Sequence, residues 1–516
     1  MLNTMIWQYQ DLAITSLPAL ANSLMNDPAK PFIRNADGRD FSYEAFRRLT
    51  ARIAGALVQA GVRPGDRVAV QVEKSPEAIA LFFAAARSGA IFLPLNTAYT
   101  LAEVEYFVGD SEPRLIVVPP DRVDALSGLA ARYNATTLSL GVNGDGSLMD
   151  MAANEPEAFE DMPVGWDDLI AILYTSGTTG RSKGAMLTHG NLASNALALV
   201  ETWRFTSADT LLHALPIYHT HGLFTATNTV MLSGGTMLFQ PKFDPAEALR
   251  LMPEATAMMG VPTFYTRLLQ QPGLTRRATA HMRLFISGSA PLLAETHVDF
   301  ETRTGHAILE RYGMTETNMN TSNPYEGARI PGTVGKPLPG IDVRITEPGE
   351  ARPIPNGEIG MIEVRGPNVF KGYWRMPEKT AEDLRPDGFF ITGDLGRIDE
   401  NGYVSIVGRG KDLIISGGFN VYPKEVESEI DSIPGVIESA VIGLPHDDFG
   451  EGVTAIVVID DAAAASETSI LAHLQTRLAK FKLPKRILFV DDLPRNAMGK
   501  VQKALMRQTY HGIYKK

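Results

Sequence analysis

Hydrophobic positions change from helical to strand spacing and back along the first third of the chain. Apolar residues recur at helical spacing from Phe46 to Leu57, between Ser42, which can cap a helix, and Gly61, which can end one. The β-branched run at 67–72 then has the length and composition of a strand. Strands separated by helices of this length favour βαβ units. The pattern therefore predicts an α/β fold with a large N-terminal domain of packed, mainly parallel sheets and helices.

The C-terminal hundred residues have a different pattern. After the charged, glycine-flanked segment at 408–412, the chain indicates a small, separate α+β unit. Such a segment between two patterned regions is typical of a linker or hinge. We predict an N-terminal domain over residues 1–410 and a mobile C-terminal domain over 411–516, with the hinge near Lys411.

Composition excludes several classes of protein. The 516 residues include 48 Lys or Arg and 59 Asp or Glu, so the net charge is −11, and no basic stripe is present. A nucleic-acid backbone requires such a stripe, so we expect no nucleic-acid partner. Cysteine is absent, which excludes disulfides, thiolate metal sites and a cysteine nucleophile. A thiol that takes part in the chemistry must therefore belong to a substrate.

Targeting and membrane signals are also missing from the pattern. The first basic residue is Lys30, whereas signal and transit peptides carry basic residues from the start. The longest apolar stretch, 78–95, is interrupted by Arg87, Gly89 and Pro94. A bilayer span requires about 20 uninterrupted apolar residues. We expect a cytoplasmic protein with no membrane partner.

A segment rich in glycine and hydroxyl side chains, 174–184, follows a predicted strand at 169–173. Its glycines allow close backbone approach, its hydroxyls donate hydrogen bonds, and Arg181 and Lys183 add positive charge. This combination suits phosphate oxygens. It is not a Walker A loop, because Ser182 stands where that motif requires its second glycine. The segment predicts a phosphate-binding site.

Six further motif-like segments follow it in the chain, at 216–222, 287–291, 311–316, 392–394, 408–412 and 493–500. In this order, they resemble the motifs of the AMP-forming acyl-CoA synthetase, adenylation-domain and luciferase superfamily. Segments 214–224 and 312–321 resemble its malonate-activating members most closely.

The resemblance implies a ligation in two half-reactions. A carboxylate attacks the α-phosphorus of ATP to give an acyl-adenylate and pyrophosphate, and the thiol of coenzyme A then displaces AMP. The expected partners are small molecules: ATP, Mg²⁺, coenzyme A and an acid, with malonate or methylmalonate expected as the acid. Other readings stay open: a ligase for another small carboxylic acid, an adenylating enzyme that loads a carrier protein, a luciferase-like oxygenase, and a nucleotide-binding regulator without activity.

The same resemblance implies roles for individual residues. The residues expected to bind ATP or AMP are Thr175, Ser176, Gly177, Thr178, Thr179, Gly180, Lys183, Gly288, Ser289, Ala290, Glu310, Arg311, Tyr312, Gly313, Met314, Asp394 and Arg409. The expected catalytic residues are Lys500, Glu316, Thr315 and His219. Mg²⁺ would be held by Glu316 and Thr179, since this ion accepts few carboxylates and stays beside phosphates.

Coenzyme A and the acid would be bound elsewhere in the chain. Ser416, Gly417 and Gly418 would face the pantetheine arm, where missing side chains leave clearance. Burying the second carboxylate of malonate without a cation would cost several kcal/mol. His221 and Arg267 are the candidates for this carboxylate, and Arg267→Leu is expected to lose malonate activity while keeping the fold.

Lys500 is also expected to be a point of regulation. Acetylation would remove its charge. Adenylation should then stop while thioester formation from a supplied acyl-adenylate continues, so a protein acetyltransferase is a further expected partner.

Overall fold

The computed structural model describes residues 14–35, 38–175, 182–446, 448–460, 466–496 and 500–514. The chain forms two compact units, a large unit of Met1–Val343 with Val364–Phe390 and a small unit of Arg344–Glu363 with Ile391–Lys516. This division differs from the predicted one at residue 410, because strands before that residue group with the C-terminal part. A hinge near Lys411 stays a prediction.

Helices occur throughout the described residues. The α-helices are Leu17–Ser23, Tyr43–Gln59, Pro76–Arg87, Leu101–Ser111, Val123–Arg132, Ser147–Ala152, His189–Thr202, Thr227–Ser233, Pro245–Leu251, Pro262–Leu269, Ala294–Thr304, Pro377–Asp383, Pro423–Asp431, Glu467–Gln475 and Lys503–Tyr510. A π-helix spans His221–Ala226. Within the described ranges, no helix is both long and apolar enough to cross a membrane.

The strands are, in chain order, β1 Pro31–Asn35, β2 Phe41–Ser42, β3 Arg67–Val70, β4 Ile91–Pro94, β5 Leu115–Val118, β6 Thr136–Ser139, β7 Leu169–Thr175, β8 Lys183–Thr188, β9 Thr210–His213, β10 Thr236–Phe239, β11 Ala257–Gly260, β12 Leu284–Ser287, β13 Leu309–Met314, β14 Asn318–Ser322, β15 Lys336–Pro337, β16 Asp342–Thr346, β17 Gly360–Arg365, β18 Gly372–Tyr373, β19 Phe390–Ile398, β20 Val404–Arg409, β21 Ile414–Ser416, β22 Phe419–Val421, β23 Val436–His446, β24 Gly450–Ile459 and β25 Arg486–Phe489.

The large unit contains two mainly parallel sheets. One has the order β15-β14-β13-β12-β11-β9-β10-β1-β2 and is parallel from β13 through β1. The other has the order β18-β8-β7-β4-β3-β5-β6 and is parallel from β7 through β6. Strands β5 and β12 are buried along their whole length, as expected for parallel strands covered on both faces. The predicted α/β class is confirmed.

Local capping signals also agree with the structure. The Ser42 hydroxyl accepts a hydrogen bond from the backbone N–H of Ala45 at the start of Tyr43–Gln59. Thr100 and Glu103 form a complete capping box. Both signals depend on residues within a single turn, which is why the sequence alone identifies them.

The small unit combines α and β elements. It contains a sheet of order β16-β17-β19-β20 and a sheet β22-β21-β24-β23, in which β25 joins β24. Residues of β21, β23, β24 and the helix Glu467–Gln475 share one buried apolar cluster, which includes Ile414, Val441, Val453 and Ile470.

A buried carboxyl group makes the stability of the small unit sensitive to pH. Asp431 accepts a hydrogen bond from Ser439 Oγ at 2.7 Å and lies 3.8 Å from Lys424 Nζ. Burial raises the pKa of Asp431 from 3.8 to about 6, with Glu427 and Glu438 adding to the shift. The folded state therefore holds the proton more tightly than the unfolded chain, and the free energy of unfolding falls as the pH rises through this window.

We expect Asp431→Asn to remove this effect. The free energy of unfolding of this variant, relative to that of the parent, should increase between about pH 4 and pH 6 and then level off. The total increase should approach about 3 kcal/mol. Calorimetry in small pH steps measures the difference. A difference that does not change with pH would contradict the prediction.

Candidate active site

Two antiparallel strands flank the predicted phosphate-binding segment. Thr175 at the end of β7 lies opposite Lys183 at the start of β8. Thr175 Oγ1 donates to the carbonyl oxygen of Lys183 at 3.4 Å. Five other predicted phosphate ligands lie outside the described residues: Ser176, Gly177, Thr178, Thr179 and Gly180. Their roles stay predictions.

The ammonium group of Lys183 lies beside an aromatic ring and a carboxylate. Lys183 Nζ is 4.2 Å from the centre of the Tyr373 ring and 3.6 Å from Asp383 Oδ2. An aromatic face and a carboxylate both attract a cation. The structure therefore fixes a positive charge where the predicted segment ends.

Glu316 is a buried carboxylate that shares a neighbour with Lys183. The Tyr373 hydroxyl donates to Glu316 Oε1 at 3.1 Å, and the Glu316 carbonyl accepts from the N–H of Phe370 at 2.8 Å. The described residues contain no group of three or more His, Cys, Asp or Glu that could hold a metal. A single carboxylate near phosphate ligands nevertheless fits Mg²⁺, which takes its other ligands from phosphates and water. Thr315 precedes Glu316 and is partly buried.

Strand β13 carries the residues predicted to contact the nucleotide. Tyr312 is mostly buried, and its hydroxyl lies 3.9 Å from Met314 Sδ. Gly313 allows the tight pairing with β14, because a Cβ atom there would lie 2.0 Å from the Asn318 carbonyl oxygen. Glu310 lies 3.5 Å from His297 Nδ1 and accepts from the N–H of Gly332. Glu310 is therefore held by contacts with other residues of the protein.

His221 and Ser289 meet at the carboxyl end of β12. Ser289 Oγ is 3.2 Å from His221 Nδ1, and Ser289 has a φ of +73°, which a non-glycine residue seldom adopts. Complete burial lowers the pKa of His221 well below its usual value, so its imidazole is neutral at physiological pH. Ala290 follows and is partly buried. The structure thus brings His221, a predicted acid-binding residue, into contact with Ser289, which is predicted to bind ATP or AMP.

Arg311 lies next to this pair with its guanidinium buried. A Cβ atom on Gly288 would lie 2.4 Å from Arg311 Cζ, so the missing side chain of Gly288 makes room for the guanidinium. Arg311 is 4% exposed, and its Nε and Nη2 atoms have no hydrogen-bond partner within the described residues. Burial lowers the pKa of Arg311 to about 9, which still leaves it cationic at neutral pH. A buried cation with unpaired donors calls for an anionic partner.

Sequence reasoning assigned Arg311 to the nucleotide and missed this environment. Two signals were present: Arg311 and Tyr312 are consecutive in a strand and so face opposite sides of the sheet, and Gly288 lacks a side chain. Gly288 and Arg311 come together through the parallel pairing of β12 with β13, which neither signal indicates by itself.

Arg267 has a different environment from the one predicted. It is exposed on the helix Pro262–Leu269, whose buried residues are Phe264, Tyr265 and Leu268. An exposed guanidinium stays hydrated and gains little from a carboxylate in a buried pocket. Its position argues against Arg267 as the acid ligand and favours Arg311. The other predicted residue of this region, His219, is partly buried and packs edge-on against Tyr218 at 4.8 Å between ring centres.

In the small unit, Asp394 and Arg409 lie opposite each other on β19 and β20. Arg409 Nε is 2.7 Å from Asp394 Oδ1, and Asp394 is 4% exposed. Lys411 lies in the short 3₁₀ turn Gly410–Asp412, where partial desolvation of its ammonium lowers its pKa.

Ser416, Gly417 and Gly418 form the turn between β21 and β22. Ser416 is buried, and both glycines have positive φ, +60° and +81°. The N–H of Gly417 donates to the Phe449 carbonyl oxygen at 2.8 Å.

Lys500 is exposed, and its backbone is held by Asn496. The N–H of Lys500 donates to Asn496 Oδ1 at 3.0 Å, and its carbonyl accepts from the N–H of Asn496 at 3.0 Å. These two hydrogen bonds hold the backbone of Lys500 against Asn496.

Comparisons with known proteins show the family of this chain. The family model described as AMP-binding enzyme matches residues 20–374, and that of the AMP-binding enzyme C-terminal domain matches residues 425–500. The crystal structure of ATP-bound MatB from Rhodopseudomonas palustris is 61% identical, with a TM-score of 0.95 over 97% of this chain and 99% of that one. A malonate–CoA ligase of Arabidopsis thaliana is 35% identical over 92% of this chain and 85% of its own length. A feruloyl-CoA synthase of an Amycolatopsis species is 38% identical over 92% and 94%.

Proposed function

This chain belongs to the AMP-binding enzyme family, and we propose that it is an ATP-dependent, AMP-forming malonate–CoA ligase. The 61% identity to MatB of Rhodopseudomonas palustris and the malonate–CoA ligases among the relatives support this activity. The structural observation that favours malonate is the buried Arg311 guanidinium, whose Nε and Nη2 atoms have no partner among the described residues. An aromatic acid would leave that cation uncompensated, whereas the second carboxylate of malonate pairs with it.

Arg311, His221 and Ser289 would form the acid pocket. The planar guanidinium can donate parallel hydrogen bonds to both oxygens of one carboxylate. The neutral imidazole of His221 and the Ser289 hydroxyl, 3.2 Å apart, add polar groups without adding charge. The bound acid would then present its other carboxylate for reaction.

Adenylation requires positive charge and donors around the phosphates. The attacking carboxylate oxygen forms a bond to the α-phosphorus of ATP while the bond to pyrophosphate breaks, so negative charge grows on phosphate oxygens. Lys183 and Thr175 would hold the outer phosphates, and Lys500 would stabilise the reacting groups. When bound at Glu316, Mg²⁺ supplies further neutralising charge. Tyr312, Gly288 and Ala290 would hold the adenine.

Thioester formation requires a second arrangement of ligands. The sulfur of coenzyme A attacks the acyl carbon, and AMP leaves. Ser416, Gly417 and Gly418 would line the path of the pantetheine arm, and Lys411 would be the hinge between the two steps. His219 would act between the acid and the thiol.

Release of AMP across a panel of acids tests the proposed function. With Mg²⁺, ATP and coenzyme A, we expect turnover of malonate and methylmalonate to exceed that of acetate, propionate, succinate and ferulate by at least about 100-fold. Preferred turnover of acetate or propionate would support a ligase for another small acid and remove the argument from Arg311.

The ribose hydroxyls of ATP would be bound by Asp394, which leads to a separate prediction. An ionised carboxylate accepts hydrogen bonds from vicinal hydroxyls, so we expect Asp394→Ala to raise the KM for ATP about 10- to 100-fold. The KM for malonate should change little. Steady-state kinetics with each substrate varied in turn measures both, and an equal rise in the two constants would contradict a specific ribose role.

Two further expectations belong to this proposal. The exposure of Lys500 supports access by a protein acetyltransferase. A cytoplasmic location would supply ATP and coenzyme A together, and cell fractionation tests it.

A further inference from the structure

Tyr373 connects two elements that the proposed function uses separately. The backbone around it pairs with β8, where Gly372 lies opposite Met186 and the N–H of Trp374 donates to the Gly184 carbonyl at 2.7 Å. Three residues earlier, the N–H of Phe370 donates to the Glu316 carbonyl at 2.8 Å. The segment 370–374 therefore connects the backbone of Glu316, the proposed metal ligand, to β8, the strand that begins with Lys183.

The side chain of Tyr373 makes the same connection. Its hydroxyl donates to Glu316 Oε1 at 3.1 Å, while its ring lies 4.2 Å from Lys183 Nζ. The ring packs edge-on against Phe370, with centres 4.8 Å apart, and Tyr373 is 3% exposed. A buried ring held in this way keeps its hydroxyl oxygen beside the carboxylate, because moving the ring would disturb the packing.

We propose that Tyr373 is a positioning residue that orients the Glu316 carboxylate toward Mg²⁺ and so sets the affinity of the site for the magnesium complex of ATP. The inference rests on the proposed metal role of Glu316. A carboxylate that binds a metal is oriented by hydrogen bonds from neighbouring groups, and loss of such a neighbour typically lowers metal affinity about 10- to 100-fold. The Tyr373 hydroxyl is a donor in that position.

Tyr373→Phe isolates the hydroxyl, because it retains the ring and the contact with Lys183. Calorimetric titration with ATP should give a Kd raised about 10-fold or more in Mg²⁺ and unchanged in EDTA. Tyr43→Phe is the matched control, since Tyr43 is a buried tyrosine whose hydroxyl donates to the carbonyls of Val230 and Gly235. It should leave both Kd values unchanged while lowering the melting temperature.

A double-mutant cycle separates positioning from a general structural role. In a Glu316→Gln background, Tyr373→Phe should no longer change the Kd for ATP in Mg²⁺, because the group it orients is gone. The same loss in both backgrounds, or an equal change in Mg²⁺ and EDTA, would overturn the proposal. If Glu316→Gln alone leaves the magnesium dependence intact, the metal role of Glu316 fails, and the proposal fails with it. If Glu316→Gln abolishes the magnesium dependence but Tyr373→Phe leaves the Kd for ATP unchanged, the metal role of Glu316 stands and the positioning role of Tyr373 is wrong.

Discussion

Arg311→Leu should lower kcat/KM for malonate about 100- to 1,000-fold, which corresponds to ~3–4 kcal/mol of transition-state stabilisation. The reason is that the second carboxylate would enter a buried pocket without its cation. The same variant should fold normally, since an apolar side chain in place of a buried, unpaired charge is neutral or stabilising. Propionate, which lacks the second carboxylate, should be turned over better by the variant than by the parent.

Arg267→Leu distinguishes the two assignments of the acid ligand. From the exposure of Arg267, we expect its malonate kinetics to match those of the parent. Arg311→Lys should retain part of the activity, because it keeps the charge but loses the forked donor geometry. Loss of malonate activity in Arg267→Leu combined with normal kinetics in Arg311→Leu would reverse the assignment.

The two arginines illustrate what the sequence could and could not predict. The α/β class and the helix starts at Ser42 and Thr100 followed from local patterns, which depend on residues within a turn or a strand. The environment of Arg311 depends on which strands are neighbours, and periodicity does not contain that information. The resemblance to the superfamily suggested Arg267 as an acid ligand, yet Arg267 is exposed on its helix.

Tyr373 was missed for the same physical reason. It is 57 residues from Glu316 in the chain, and their contact depends on the pairing of β18 with β8. A lone tyrosine in a short strand carries no local sign of such a contact. Likewise, the small unit includes residues 344–363, which are separated in the sequence from residues 391–516, and local patterns do not indicate such a grouping.

Lys500→Ala should reduce adenylation about 1,000-fold, since a cation aimed at the developing charge typically contributes a factor of this order. Thioester formation from a supplied acyl-adenylate should stay within a few-fold of the parent, because phosphoryl transfer is already complete. Lys500→Gln, which removes the charge as acetylation does, should behave in the same way. Pyrophosphate exchange measures the first half-reaction, and acyl-CoA formation from the adenylate measures the second.

Lys480→Ala is the matched control, because Lys480 is another exposed lysine of the small unit, at the start of a 3₁₀ turn. Both of its half-reactions should equal those of the parent. The backbone of Lys500 is held by Asn496, so a shortened side chain at Lys500 removes the ammonium without releasing the chain. If Lys500→Ala slows both half-reactions equally, Lys500 does not act specifically in adenylation. The assignment of adenylation to Lys500 and of thioester formation to the turn at 416–418 would then be wrong.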